Sequence, residues 1–438
     1  MRSKLFAFYL HSFPNSSIKI REQIDKPLRE FEKFTCLPDL GSFFVFPMVS
    51  VSPKEDLVSG IIAEDFDRVE WALKNGVGTD FLTPEGDSPL HLAILQKNQK
   101  IFELILDHSE NLDQFTSEGK TPLLLSIEKG RLEYFHLLLK KGANPFFPDE
   151  KGKSPLEYSV ESKDFHFLKV FFRDGQSPDF INQDKETLVH LAIRINNEGI
   201  LGFLLENGAD PNKANSKMQY PIQIAAELGH WGCMNLLLDT GVEHVNEIGS
   251  SGKSPLHLTC EAGNLTLTKK ILELGADPNL TDSEGLTALY YASGKNDIEL
   301  VECLLSKNAD PALSALHPIS NACDGGSISV VQLFLETGME PNFVNKNGEP
   351  LLLRAVHSQN PELVELLIDR GANINQGNKE GRTPLMEAVI SKNISIVELL
   401  LKKGADRSLK DNSGYSALTW AGAADLVEIE RLIRSSTG

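Results

Sequence analysis

Five segments of this chain are copies of one pattern: GDSPLHLAI (86–94), GKTPLLLSI (119–127), GKSPLEYSV (152–160), GKSPLHLTC (252–260) and GRTPLMEAV (381–389). With the Ser/Thr position as anchor, the series runs 88, 121, 154, 187, 220, 254, 287, 317, 350, 383 and 416. Eight of the ten steps are 33 residues, and the others are 34 and 30. A period of that length predicts one stack of small units in place of the two or three domains that 438 residues would otherwise suggest. Each unit is too small to bury its apolar face alone and must cover it with its neighbours.

The chemistry of one unit is readable position by position. The anchor is a hydroxyl residue at Ser88, Thr121, Ser154, Thr187, Ser254, Thr287, Thr383 and Ser416. A hydroxyl there accepts from the free N–H groups of a helix start. Proline usually follows, as at Pro89, Pro122 and Pro255, where its missing N–H costs nothing. Five residues past the anchor the side chain is always small, from Ala93 and Ser126 to Ala388 and Ala421, which lets neighbouring helices approach closely. A second apolar-periodic run follows, such as LEYFHLLLK (132–140), and usually ends in glycine (Gly142, Gly208, Gly275, Gly371), a left-handed helix stop. A polar loop then leads to the next anchor. Each unit therefore reads as helix, turn, helix, extended loop, and the fold class as all-α, an α-solenoid.

Period and motif together resemble the ankyrin repeat, a 33-residue unit with a T-P-L-H-x-A signature. The resemblance covers residues 53–438, with a degenerate first repeat at 53–82 and a capping repeat at 411–438. It implies a non-enzymatic scaffold that binds protein partners and needs no cofactor. It also implies that the motif histidines His91, His190 and His257 bridge neighbouring units by hydrogen bonds. In the family, partners meet the concave face: loop tips and the inner side of the first helices. In anchor-relative terms these are positions six, four, three and one before, and seven and eight after. Carried onto this chain they give Leu82 and Leu95; Phe115, Glu118 and Lys120; Ile181 and Ile195; Leu228; Leu286; Val344 and His357; Ile390; and Tyr415. Phe146 and Phe147, in the loop NPFFPDE, are added as exposed aromatic anchors of the kind interfaces favour.

The repeat also disposes of sites that single segments suggest. GSSGKS (249–254) ends like a phosphate-binding loop, but the first glycine that motif requires falls on Glu247. Cys260 and Cys323 stand in register with Ile94 and Ile127 and read as small buried apolar residues. No second His/Cys pair at ligand spacing completes a metal site, and no nucleophile elbow or H-E-x-x-H occurs. Asn212 resembles the loop asparagine that oxygenases hydroxylate in eukaryotic members of the family, and it is equally a residue that pins its turn.

A formal charge of −18 argues against nucleic acid and anionic membrane as partners and steers the chain toward basic protein surfaces. No stretch has the roughly 18–20 apolar residues of a membrane-spanning helix. Five cysteines without a pattern read as free thiols, which places the protein in the cytoplasm, its own or that of a host cell if the source is microbial. The array is expected to be monomeric.

Three departures stand out. Lys185 and Met218 replace the loop glycine. The loop before His317 is three residues short and lacks both the glycine and the hydroxyl cap, so the stack is expected to have a weak joint there. Residues 1–52 do not repeat and hold eight of the 23 phenylalanines, which reads as a cap over the end of the stack. The alternative is a docking element for a membrane or second partner, which would make the protein an adaptor or a secreted effector.

Overall fold

The computed structural model describes residues 52–435 apart from 163 and 174–176. The described residues form twenty-four α-helices in twelve antiparallel pairs, from Pro53–Ile62 with Phe66–Lys74 to Ala417–Ala423 with Val427–Ser435. The expected α-solenoid is therefore present, and one unit of backbone contacts runs from Leu57 onward. Residues 1–51, with the expected cap or docking element, lie outside the described residues.

The anchors cap the first helices as read. Ser88 Oγ accepts from His91 N at 3.3 Å and Thr121 Oγ1 from Leu124 N at 3.2 Å. Where the hydroxyl is missing, other groups substitute. Gln223 accepts from Tyr220 N at 2.8 Å, and the imidazole of His317 accepts from Ile319 N at 3.3 Å, so the unit at 317 is capped after all. The second helices have caps that the motif does not reveal: Asn98, Asn197, Asn264, Asp297 and Asn393 each accept from the backbone N–H three residues on.

From Pro89–Leu95 onward each first helix packs on its own second helix and on the first helix of the next unit. Close approach at the small position makes this possible. Ala93, Ser126, Ser159, Ala192, Ala225, Thr259, Ala292, Ala322, Ala355, Ala388 and Ala421 are all fully buried. The hydroxyls among them turn back on their own helix, with Ser126 and Ser159 donating to Leu123 O and Leu156 O at 2.6 Å.

Polar links run along the stack. The three motif histidines donate or accept at both ring nitrogens; His91, for example, bonds Ser88 Oγ at 2.7 Å and reaches Lys120 O of the next unit at 3.1 Å. A second ladder lies eight residues before the anchor, where Asn or Asp accepts from a backbone N–H 31 residues later. It includes Asp113 to Asn144, Asp179 to Asp210, Asn246 to Asp277 and Asn375 to Asp406, at 2.8–3.1 Å. Asn212 belongs to it and holds Glu243 N at 3.0 Å, which is the turn-pinning role.

The weak joint expected at His317 is not a gap in the core. Leu304, Ala309, Ile319, Cys323 and Phe334 are one continuous cluster across that boundary. The short spacing leaves its mark in polar groups instead: Thr287 Oγ1, Ser320 Oγ and Ser327 Oγ are buried without a hydrogen-bond partner. The apolar core divides elsewhere. One cluster runs from Leu57 to Phe167 and the other from Leu156 to Ile433, so the seam passes through the unit anchored at Ser154.

At the two loops that lack glycine the backbone keeps the left-handed turn, with φ of 56° at Lys185 and 58° at Met218. A side chain there costs about 1 kcal/mol relative to glycine. Lys185→Gly and Met218→Gly are each expected to stabilise the array by roughly 0.5–1 kcal/mol, read as a rise in the urea midpoint.

Candidate partner-binding surface

The loop tips are built by one device. In most units the residue five before the anchor is Asn, Asp or Thr, and its side-chain oxygen accepts from the backbone N–H groups two and four residues on; the units at Ser254 and His317 have Gly249 and Ala312 there, and Glu227 takes the Ser251 N–H instead. Asn182 does so from Asp184 and Glu186 at 3.0 and 2.9 Å, and Asp411 from Ser413 and Tyr415 at 2.9 and 3.0 Å. The turn is tied back to the anchor by an isolated antiparallel bridge, as in Ile181 with Thr187 and Val344 with Pro350. This geometry leaves the side chain six before the anchor on the outside of the loop.

Leu82, Ile181 and Val344 accordingly stand exposed in one row, Ile181 at 52%. Leu95, Leu228, His357, Ile390 and Tyr415 are also exposed, and Ile195 is half-buried. Ile248 belongs to the same row, six before Ser254, and was missed although the register points to it. Met218 stands 70% exposed at its turn, at a position where the motif has glycine and so gives no side chain to carry over.

One expected contact is wrong. Leu286 is buried, at 5% exposure. The shortened loop that follows forms a 3₁₀ turn at Pro311–Leu313 and lies against it: Ala315 N donates to Gly285 O at 2.7 Å, and Ser314 Oγ lies 3.4 Å from Thr287 N. Leu286 supplies its carbonyl to His257 Nε2 at 3.0 Å and has no free face to offer.

The aromatic anchors are engaged within the chain. Phe147 stacks on Phe115 with ring centroids 5.2 Å apart, and Phe146 stacks on Phe180 at 5.2 Å and meets Phe171 edge-on at 5.8 Å. Three successive loops are linked by these rings, which leave only their outer edges to solvent. Phe115 is half-buried for that reason.

The face beside the row is largely charge-paired. Lys120 bonds both Glu118 and Glu128 at 2.9 Å, Lys253 bonds Glu261 at 2.7 Å, and Lys153 bonds Glu161. Toward the C-terminal end Arg354 lies 3.1 Å from Asp324 and 3.3 Å from Glu349, and His357 lies 3.4 Å from Glu387. That contact to Glu387 raises the His357 pKa and lowers the carboxyl's. The first loops are different. Burial, then the nearby Glu118 and Glu85 charges, push the Asp87 carboxyl up, while Lys120 pairs with Glu118.

The residues of GKSPLHLTC are placed structurally. Both nitrogens of the His257 ring are bonded, to Ser254 Oγ at 2.7 Å and Leu286 O. Burial raises the Cys260 thiol to about 12, away from thiolate chemistry. Among the described residues no three His, Cys, Asp or Glu side chains gather as metal ligands, and no helix is long and apolar enough to cross a membrane.

Comparison with known proteins agrees with this architecture. The family profile Ank_2, ankyrin repeats in three copies, matches residues 60–149, 156–248, 222–315, 319–411 and 352–434. The transient receptor potential channel pyrexia of Drosophila melanogaster is 33% identical over 103 residues, 22% of this chain and 10% of that protein. Ankyrin repeat domain-containing protein 46 of Rattus norvegicus is 29% identical over 100 residues, 23% of this chain and 44% of that one. The chain thus spans less than half the length of either relative. A similar solved structure is the ankyrin repeat domain of human ASB11, at 26% identity and a TM-score of 0.46 over 50% of this chain and 99% of that one.

Proposed function

The chain belongs to the ankyrin repeat family, and from that premise we propose that it is a non-catalytic, monomeric scaffold that holds a protein partner along its loop-tip row. The observation that carries this reading is the exposed row Leu82, Ile181, Ile248 and Val344, built at one position of the repeat and free of ring stacking. Such a row offers the apolar anchors that dominate binding energy. The partner's chemistry follows from the charge beside it. Glu85 and Asp87 next to Leu82, with Glu118 already paired to Lys120, favour an extended basic segment with apolar side chains between its cations. The free thiols and the absence of a long apolar segment fit a cytoplasmic setting.

The test is affinity capture with the full chain beside the triple variant Leu82→Ser, Ile181→Ser, Ile248→Ser. These side chains are exposed, so the fold should be retained by circular dichroism and urea midpoint. Capture of the partner should weaken by about 100-fold, the product of three anchors worth over 1 kcal/mol each. Equal capture by both proteins would remove the row from the interface. Capture that depends instead on residues 1–52 would favour the adaptor reading, in which the N-terminal segment does the addressing.

A further inference from the structure

We propose that the unit anchored at Tyr220 carries its own docking site, in which Met218 and Leu228 take an apolar side chain of an extended partner segment and Glu227 takes the lysine or arginine beside it. The proposal rests on the reading of the loop tips and first helices as the partner-binding face. Three departures from the repeat, all in one place, carry it.

The first is a methionine where the turn favours glycine. Two residues before the anchor, eight units have a glycine with φ between 72° and 91°. These glycines also leave little room for a side chain. A Cβ on Gly119, Gly252 or Gly348 would come within 2.1–2.6 Å of Glu150, Ser283 or Lys379, the residue four before the next anchor. Met218 keeps the turn at φ 58° and is the most exposed of the large apolar side chains among the described residues. A left-handed methionine costs stability, and one so exposed recovers little of it by burial. Strain held without a gain in packing points to a function for the side chain.

The second is the way the following tip is held. Five before its anchor stands Gly249, which has no side chain to tie the turn. Glu227, the last residue of the first helix in the unit of Met218, ties it from outside: Ser250 Oγ donates to Oε2 at 2.7 Å and Ser251 N to Oε1 at 2.8 Å. A Cβ on Gly249 would lie 2.3 Å from Glu227 Oε1, so the glycine is what admits the carboxylate. By register Ser250 is the residue that would crowd Met218, and it is latched to Glu227 instead.

The third is an unmatched charge. In four other units the residue before the anchor pairs with the one seven after it: Lys120 with Glu128, Lys153 with Glu161, Glu186 with Arg194 and Lys253 with Glu261. In this unit the residue before the anchor is Gln219, whose Oε1 accepts from Asn215 Nδ2 at 3.2 Å. Among the described residues Glu227 meets only the neutral serine donors. Leu228, next to it in the chain, and Ile248, on the tip it holds, are both exposed. A carboxylate without a cation therefore stands beside exposed apolar side chains, the complement of a cation flanked by apolar ones. The exposed Lys185 and Lys217 are matched in number by the exposed Asp184 and Glu247 and do not reverse this.

Peptide selection on the full chain tests the site. A random dodecapeptide library is depleted on the double variant Met218→Gly, Glu227→Gln and then selected on the native chain. Enriched peptides should carry Lys or Arg within about three residues of Leu, Ile, Phe or Met. Synthesised and titrated, they should bind about tenfold more weakly to either single variant, the loss of one interface anchor. Salt should weaken their binding to the native chain more than to Glu227→Gln. Met218→Gly should lower affinity while raising the urea midpoint, a combination that a structural role would not give. In Glu227→Gln the amide oxygen still accepts from Ser251 N, so the tip is kept. No enrichment, or enriched peptides without a cation, would overturn the proposal. Enriched peptides that Leu82→Ser loses and both single variants keep would uphold the tip row and overturn this site.

Discussion

Lowering the pH from 7 to 5 should destabilise the array by more than 2 kcal/mol, with a large part of the loss carried by the motif histidines. His91 is fully buried, and desolvation lowers its pKa from 6.5 to about 4. His190, His257 and His317 are lowered in the same direction and for the same first cause, burial. A group whose folded pKa lies below its unfolded value binds more protons when the chain unfolds. Its contribution to stability is complete above 6.5 and is lost as the pH falls toward the folded value. Between pH 7 and 5 His91 alone accounts for about 2 kcal/mol.

Some groups oppose this: burial raises the Asp87, Asp113 and Asp324 carboxyls, and each offsets part of the loss as the pH falls toward its folded value. His357 is raised by its contact with Glu387, so its contribution is complete below 6.5 and is lost as the pH rises through its folded value. It is half exposed, and solvent screening keeps that opposing effect small. The Glu387 carboxyl is held below 4.5 by His357, so its contribution is lost only at more acid pH. The check is a pair of urea titrations on the native chain and on His91→Gln, His190→Gln, His257→Gln. Gln223 already caps its unit with the same reach, so glutamine can serve there. The triple variant should keep most of its stability at pH 7 and lose much less on going to pH 5. An equal loss in both proteins would place the acid sensitivity elsewhere.

The features legible in the sequence are those that act within one unit or recur without exception. The anchor hydroxyls and the small residue that ends fully buried at Ala225 or Ala355 are local or invariant, so one sequence displays them, whereas the bridging by His91, His190 and His257 is implied by the family resemblance. The bracket was harder to see. Asp113 and Asn144 lie 31 residues apart, and nothing about a loop aspartate says which N–H it will meet. Phe146 reads as an exposed aromatic anchor and is 38% exposed, but the motif does not show that its position belongs to the ladder or that its ring also meets Phe171 and Phe180. Leu286 looked like a tip residue because its own unit is regular. Its burial is decided by three residues missing from the next loop.

Glu157→Ala is expected to cost about 3 kcal/mol, more than most single surface or loop changes in this chain. Glu157 stands where other units carry the motif histidine and is almost fully buried. Its carboxylate accepts from Ser154 N at 2.7 Å, Ser154 Oγ at 2.8 Å and Asn182 Nδ2 at 3.0 Å. Truncation leaves those donors without an acceptor in a buried site, and hydrogen bonds to an ionised group are the costlier ones to lose. The place makes it worse. Asn182 belongs to the next unit, so the third bond ties the unit anchored at Ser154, through which the seam of the core passes, to the unit after it. Removing it should do more than shift a midpoint: unfolding of the block before this boundary should separate from that of the block after it, giving two resolved steps in urea. Glu157→His discriminates the causes. A histidine here would cap Ser154 as His91 caps Ser88 and reach the carbonyl 29 residues on, Glu186 O, as its counterparts reach Lys120 O and Gln219 O. If the histidine variant restores a single transition near the native midpoint, the tie across the boundary is what matters. If both variants unfold in one step at a common midpoint, Glu157 is a helix cap and no more.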